Sequence, residues 1–223
     1  MPPTATEEDI NAYQSLVEKN EISPHNMPAC QRCHVESESF KLHAYRERRF
    51  LIIIEMVVKA VFCTLVRYIC PGCRKTYTCY PDFALPGKHY TRQTIEGYSA
   101  VYTESVDMSY RRAVENEEQD RSVPEYPDGK RSLSPSSPHR WVGTLGNYLN
   151  TTQKALKLLL QENPSLSIHR QMAELTVPER KYRSEHRRQC LLSCRRFFLV
   201  ESFFRTVFFR SIFTKIATDC FYT

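Results

Sequence analysis

Hydrophobic positions fall into two regimes along this chain. Between Ser39 and Ile69 they crowd together in SFKLHAYRERRFLIIIEMVV and KAVFCTLVRYI, which are rich in Val, Ile, Phe and Tyr. That enrichment predicts β-strands, although the first apolar run is also compatible with a helix. From Thr91 onward apolar residues recur between polar ones at helical spacing. Three helices are expected first, in TRQTIEGYSAVYTES, SYRRAVENEE and SPHRWVGTLGNYL, the last two separated by the Pro-, Asp-, Gly- and Ser-rich DRSVPEYPDGKRSLSP. Beyond Thr151 the pattern is wholly helical. TTQKALKLLLQEN starts on a Thr cap and ends before Pro164, a second segment leads to Pro178, and a long helix is expected from Pro178 to Ala217.

The predicted fold class is α+β, a small β-rich region followed by a mostly α-helical one. A helix in EEDINAYQSLVEKN, stopped before Pro24, reads as an N-terminal extension over residues 1–24. A cysteine-flanked strand region covers residues 25–86, with the turn-rich PDFALPGKHY at its end. Residues 87–149 and 150–223 are two helical stretches.

Composition narrows the class. The chain has 223 residues, 41% of them apolar, enough for a real core. Its net charge of +6 is uneven: residues 151–223 carry 13 Lys/Arg against 6 Asp/Glu, while residues 1–150 carry 18 against 19. The basic excess therefore lies in the C-terminal third, where a polyanion is a fitting partner. The opening MPPTATEEDI lacks the apolar stretch of a signal peptide, and a cytoplasmic protein is expected. The run from Phe50 to Val66 is as long as a short membrane span, but Glu55 and Lys59 interrupt it and β-branched residues dominate, so membrane insertion is not expected.

The strongest chemical signal is in the cysteines. Nine of them, an odd number, argue against a disulfide framework and for metal ligands with additional buried thiols. Cys30-Gln-Arg-Cys33 and Cys70-Pro-Gly-Cys73 are two C-x₂-C pairs at either end of the strand region. A C-x₂-C turn delivers two thiolates on one side, and two such turns joined by a hairpin can close on a single Zn²⁺. The glycine of CPGC suits a knuckle that needs positive φ, and Arg32, Arg74 and Lys75 would offset thiolate charge. His34 and His43 are possible substitute ligands. Cys63 and Cys79 read as buried thiols, and Cys190 and Cys194, one helical turn apart, as helix core.

The string RYICPGCRKTYTCYPDFALPGKHYT, followed by a helix, SYRRAV and LSPSSPHRWV, resembles the zinc-ribbon and helix-turn-helix regions of bacterial insertion-sequence transposases and their small companion proteins. Arg67, Tyr68, Cys70, Cys73, Lys75 and Thr76 carry the ribbon part; Ser134, Ser136, Ser137, Arg140 and Trp141 carry the helical part. The resemblance covers roughly Cys30 to Leu149. It departs at Pro138, where the family has a small β-branched residue, and in the long loop from Gln119 to Ser132.

That resemblance implies binding of double-stranded DNA without strand transfer. A recognition helix offers its N-terminal residues to base edges and its serines and end amides to phosphates. Ser136, Ser137, His139 and Arg140 would hold those positions, with Arg140 suited to guanine and Trp141 and Leu145 facing inward. Arg111 and Arg112, beside Tyr110, would brace the adjacent backbone.

The segment KYRSEHRRQCLLSCRRFFLVESFFRTVFFRSIFTKI holds seven of the twelve phenylalanines, distributed nearly all round a helix. It is expected either to be core or to form a dimer or larger protein complex; Arg183, Arg187 and Arg188 would add phosphate contacts. An alternative role is that of an interaction subunit in a transposition or defence assembly. An enzyme using Asp82, Asp107 and Glu115 is the least supported reading, since no catalytic motif or phosphate-cradling glycine loop occurs.

Overall fold

The computed structural model describes residues 7–54, 57–114 and 131–216. The architecture is α+β. A long antiparallel hairpin, β1 (Lys41–Ile54) and β2 (Val57–Ile69), is joined by β3 (Thr76–Cys79) on the far side of β2. The described helices are α1 (Glu7–Glu18), α2 (Arg92–Glu104), α3 (Tyr110–Val114), α4 (Ser136–Gly146), α5 (Leu149–Glu162), α6 (Ile168–Glu174), α7 (Glu185–Phe208) and α8 (Ile212–Lys215). The predicted strand pair and helical C-terminal region are both present.

The continuous apolar run of β1 exists because that end of the strand is covered on both faces. Phe50 and Ile52 face a core formed with Val61, Cys63 and Leu65 of β2 and with Phe83. Ile53, pointing the other way, belongs to the helical core with Leu85, Trp141 and Phe197. The hairpin tip is thus anchored in the helices while its root carries the cysteines.

The N-terminal helix is part of the sheet core. Ile10, Tyr13 and Val17 of α1 are buried against the β2 side, Gln14 Oε1 accepts the Thr64 amide at 2.9 Å, and the Tyr13 ring meets Phe83 edge-on at 5.9 Å. The expected loop from Gln119 to Ser132 lies largely outside the described residues, as does Glu115 and the end of the helix expected in SYRRAVENEE; its last two residues form β4 (Arg131–Ser132), which pairs with Val57 and Val58.

The Phe-rich segment forms α7, the central helix of the C-terminal region. It packs on α2, α4, α5 and α6, and Leu191, Cys194, Phe197, Val200 and Phe204 are buried along it. It is shorter than expected. Ser184 caps its start by accepting the Arg187 amide at 3.2 Å, and the chain leaves the helix at Phe209, whose φ of 55° is left-handed. The helix can approach α4 closely only because residue 146 is glycine, where a Cβ would stand 2.4 Å from the Cys190 carbonyl oxygen.

Arg92 is the most buried charge, 1% exposed. Its Nε donates to the Asp82 carbonyl at 2.6 Å, Nη2 to the Asp82 carboxylate at 2.8 Å and Nη1 to Glu96 at 2.7 Å; Glu201 of α7 lies 3.5 Å away. Glu201 and Asp82 in turn accept the Ile212 and Ser211 amides at 2.9 and 3.3 Å, tying the last turn of the fold to the connector after β3. Desolvation pushes the Glu96 carboxyl up to about 7 against the pull of Arg92, and burial raises Glu201 as well.

Candidate metal centre

The two C-x₂-C turns form a repeated knuckle. In the first, the Cys30 amide donates to the Val35 carbonyl at 2.8 Å and the His34 amide to the Cys30 carbonyl at 2.8 Å; in the second, the Cys70 amide donates to Lys75 at 2.9 Å and the Arg74 amide to Cys70 at 3.0 Å. The residue after the second cysteine is left-handed in both, His34 at φ 58° and Arg74 at φ 63°. This corrects the expectation for the glycine of CPGC. Positive φ falls on Arg74, and Gly72 is needed for space: a Cβ there would lie 3.1 Å from the Cys33 Sγ and 3.3 Å from Val35.

The hairpin brings the knuckles together. Cys30, Cys33, Cys70 and Cys73 present four Sγ atoms that all lie within 4.8 Å of one another and could hold one metal ion. The closest approaches are 3.4 Å, for Cys30 with Cys73 and for Cys33 with Cys70. Cys30 and Cys70 are buried, while Cys33 faces solvent. Among the described residues neither His34 nor His43 joins this cluster.

The site is electrostatically prepared for an anionic sulfur. Burial disfavours the Cys30 thiolate, but hydrogen bonds from the Tyr77 hydroxyl, the Arg32 and Cys33 amides and the Cys73 thiol outweigh it and hold the pKa at about 5. The neighbouring Cys33 is stabilised by the Val35 amide, yet the bond it shares with Cys70 and its desolvation push it up to about 12. Without a bound cation the cluster thus keeps its protons unequally, and a divalent ion would be needed to draw all four into the thiolate form.

Tyr77 was not among the residues that the sequence pattern singled out. From β3 its hydroxyl lies 3.0 Å from the Cys30 Sγ and 3.2 Å from the Gln31 amide. Its ring stacks on Phe40 at 5.1 Å, and Lys75 sits 5.5 Å above it. Burial and the hydrogen bond to Cys30 raise the phenol pKa, so the hydroxyl remains protonated and donates. The only signal for it in the sequence is its place three residues into the strand that follows the second knuckle.

The helical candidates lie apart from the cysteines. On α4, Trp141, Val142 and Leu145 are buried in the helical core, as expected, and Pro138 is accepted in the first turn. Ser136, His139 and Arg140 are exposed and Ser137 is half-buried. Arg140 folds back on its own helix, Nη2 donating to the Ser136 hydroxyl at 3.0 Å. His139 meets the Tyr110 ring edge-on at 5.3 Å, and Arg187 of α7 donates to the Tyr110 hydroxyl. Arg111 and Arg112 of α3 are exposed, with Arg112 reaching the Asp107 carbonyl at 3.5 Å. Asp82 and Asp107, weighed as catalytic carboxylates, sit in ion pairs with Arg92 and Arg180 at 2.8 and 2.6 Å.

No helix among the described residues is long and apolar enough to cross a membrane. No curated protein and no solved structure matches the chain. Residues 30–117, which take in both knuckles, the three main strands and helices α2 and α3, match the family described as a domain of unknown function, DUF6431.

Proposed function

We propose that this chain is a zinc-stabilised protein that recognises double-stranded DNA without catalysing a reaction on it. The observation that carries the reading is the division of α4: Trp141, Val142 and Leu145 are committed to the core while the first turns leave Ser136, His139 and Arg140 in solvent. A helix fixed from behind by a tryptophan, with short polar donors and an arginine at its free N-terminal end, is built to enter a major groove. The resemblance of SPSSPHRW and RYICPGCRKT to insertion-sequence transposase segments supports the same role and a mobile-element origin.

Zinc is the favoured ion because four thiolates on a tetrahedral centre suit it. With Zn–S bonds of about 2.3 Å the sulfurs would stand about 3.8 Å apart, close to the separations present. When bound, the ion supplies cross-linking and charge neutralisation; Cys30, Cys33, Cys70 and Cys73 are its ligands and Tyr77 orients Cys30.

Selection of a preferred duplex from a random pool, followed by binding of Arg140→Ala, tests the reading. Loss of a guanine contact is expected to cost about 1–3 kcal/mol and to relax preference at one position. Failure to enrich any duplex would overturn it. An alternative role in a larger protein assembly is favoured by one feature, Phe209, which is 89% exposed at the end of α7. The buried phenylalanines of α7 are occupied by the protein's own core.

A further inference from the structure

The open face of the hairpin combines features that neither the metal centre nor α4 uses. In the β1–β2 register Arg49 stands directly opposite Phe62, Glu47 opposite Thr64 and Tyr45 opposite Val66, with no irregularity between Ala44 and Ile54. Side chains alternate faces along a strand, so Tyr45, Glu47 and Arg49 share one face with Phe62. The opposite face carries Phe50, Cys63 and Leu65 into the α1 core. Phe62 is 59% exposed and Tyr45 49% exposed. Phe62 has small neighbours on its own strand, Ala60 and Thr64, that leave its ring uncovered.

The charge around these rings is positive. Lys41, Arg46 and Arg49 of β1 are all exposed, and none makes an ion pair among the described residues. The other two arginines of the hairpin are occupied: Arg48 donates to the Leu85 and Lys88 carbonyls at 3.3 and 2.5 Å, and Arg67 to the Thr76 hydroxyl at 2.7 Å. Glu47 is the one acid on the strand. A large aromatic ring held in water in mid-strand, with a guanidinium directly across from it, offers two flat surfaces on which a planar group can stack, in a field that attracts anions.

We propose that this face binds single-stranded nucleic acid, with Phe62 and Tyr45 stacking on unpaired bases and Lys41, Arg46 and Arg49 holding the phosphates. Unpaired bases joined by phosphates combine planar apolar rings with regularly spaced negative charge, the two properties the face complements. A duplex hides its base faces, so this surface is distinct from the exposed end of α4 and the proposal does not rest on the duplex-binding reading.

Fluorescence anisotropy with a short labelled oligothymidylate tests it, using wild type, Phe62→Ala, Phe62→Trp and Arg49→Ala. Both substituted residues are exposed, so the fold should survive, and circular dichroism with elemental analysis confirms that it does. Wild type should bind at low salt, Phe62→Ala roughly tenfold more weakly, and Phe62→Trp with affinity restored. Arg49→Ala should flatten the dependence of log affinity on log salt by about 0.7. Unchanged affinity in Phe62→Ala, or no binding by wild type, overturns the proposal. So does a wild-type dimer in sedimentation that becomes monomeric in Phe62→Ala, which would make the face an interface between two copies. A parallel titration of wild type and Arg140→Ala with duplex separates failure here from failure of the α4 reading.

Discussion

The Tyr77 hydroxyl lies 3.0 Å from the Cys30 sulfur, across 47 residues of sequence, and links β3 to the first knuckle. Removing that oxygen leaves the Phe40 stack in place and deletes only a hydrogen bond to one ligand. Tyr77→Phe should therefore fold normally but hold its metal about 10–100-fold more weakly, read as the chelator concentration that strips half of the ion. An unchanged chelator profile would reduce Tyr77 to a packing residue.

Replacement of Cys70 and Cys73 by serine removes half of the sulfur cluster. About one zinc per chain is expected in wild type and none in the double variant, with loss of cooperative unfolding in the hairpin region. Elemental analysis of both proteins decides this, and metal retained by the variant would displace the assignment.

The knuckles were readable from spacing, because C-x₂-C turns have one local geometry and the β-branched run between them fixes an antiparallel return. What spacing could not show was the left-handed residue. His34 and Arg74 are side chains with no preference for positive φ, and only the amide-to-carbonyl pattern of the folded turn imposes it. Tyr77 and Arg92 were invisible for a related reason. Each acts through partners distant in sequence, and a tyrosine or arginine in a polar context looks solvated until tertiary packing closes round it. The break of the last helix at Phe209 escaped notice because no proline or glycine marks it.

Gly146 makes a separate point about helix packing. Gly146→Ala places a methyl carbon where the Cys190 carbonyl already stands, 2.4 Å away. Since the obstacle is backbone, α4 and α7 must separate. A loss of about 1–3 kcal/mol is expected in urea unfolding. Wild-type stability in the variant would mean that the helices do not approach as closely as described.

Arg92 neutralises three carboxylates from a position out of contact with water. Arg92→Met keeps most of the volume and leaves Asp82, Glu96 and Glu201 facing one another, a change expected to cost about 3–5 kcal/mol. The measurement is the urea midpoint near neutral pH. A loss of under about 1 kcal/mol would show that solvent reaches the cluster.

Folding raises the Glu96 carboxyl to about 7 through burial. A carboxyl raised in the folded state contributes stability that is complete below its unfolded value and is lost as the pH climbs through the folded one. Glu96→Gln, which cannot ionise, should therefore gain on wild type between about pH 5 and pH 8. Urea midpoints of both proteins at the two values test the sign, and parallel changes would assign the wild-type slope to other groups.

The hairpin is secured by unlike means at its two ends, sulfur at the root and Ile53 in the helical core at the tip. Chelation can undo only the first. Stripped of an ion, the sheet should open like a zip from the cysteine end, so that deuterium enters the amides near Leu42 and Tyr68 early while those near Ile53 and Val58 remain closed. The fourteen-residue strand β1 then serves as a graded reporter, its exchange rates recording along its length how far the loss of a ligand at one end is felt toward the other.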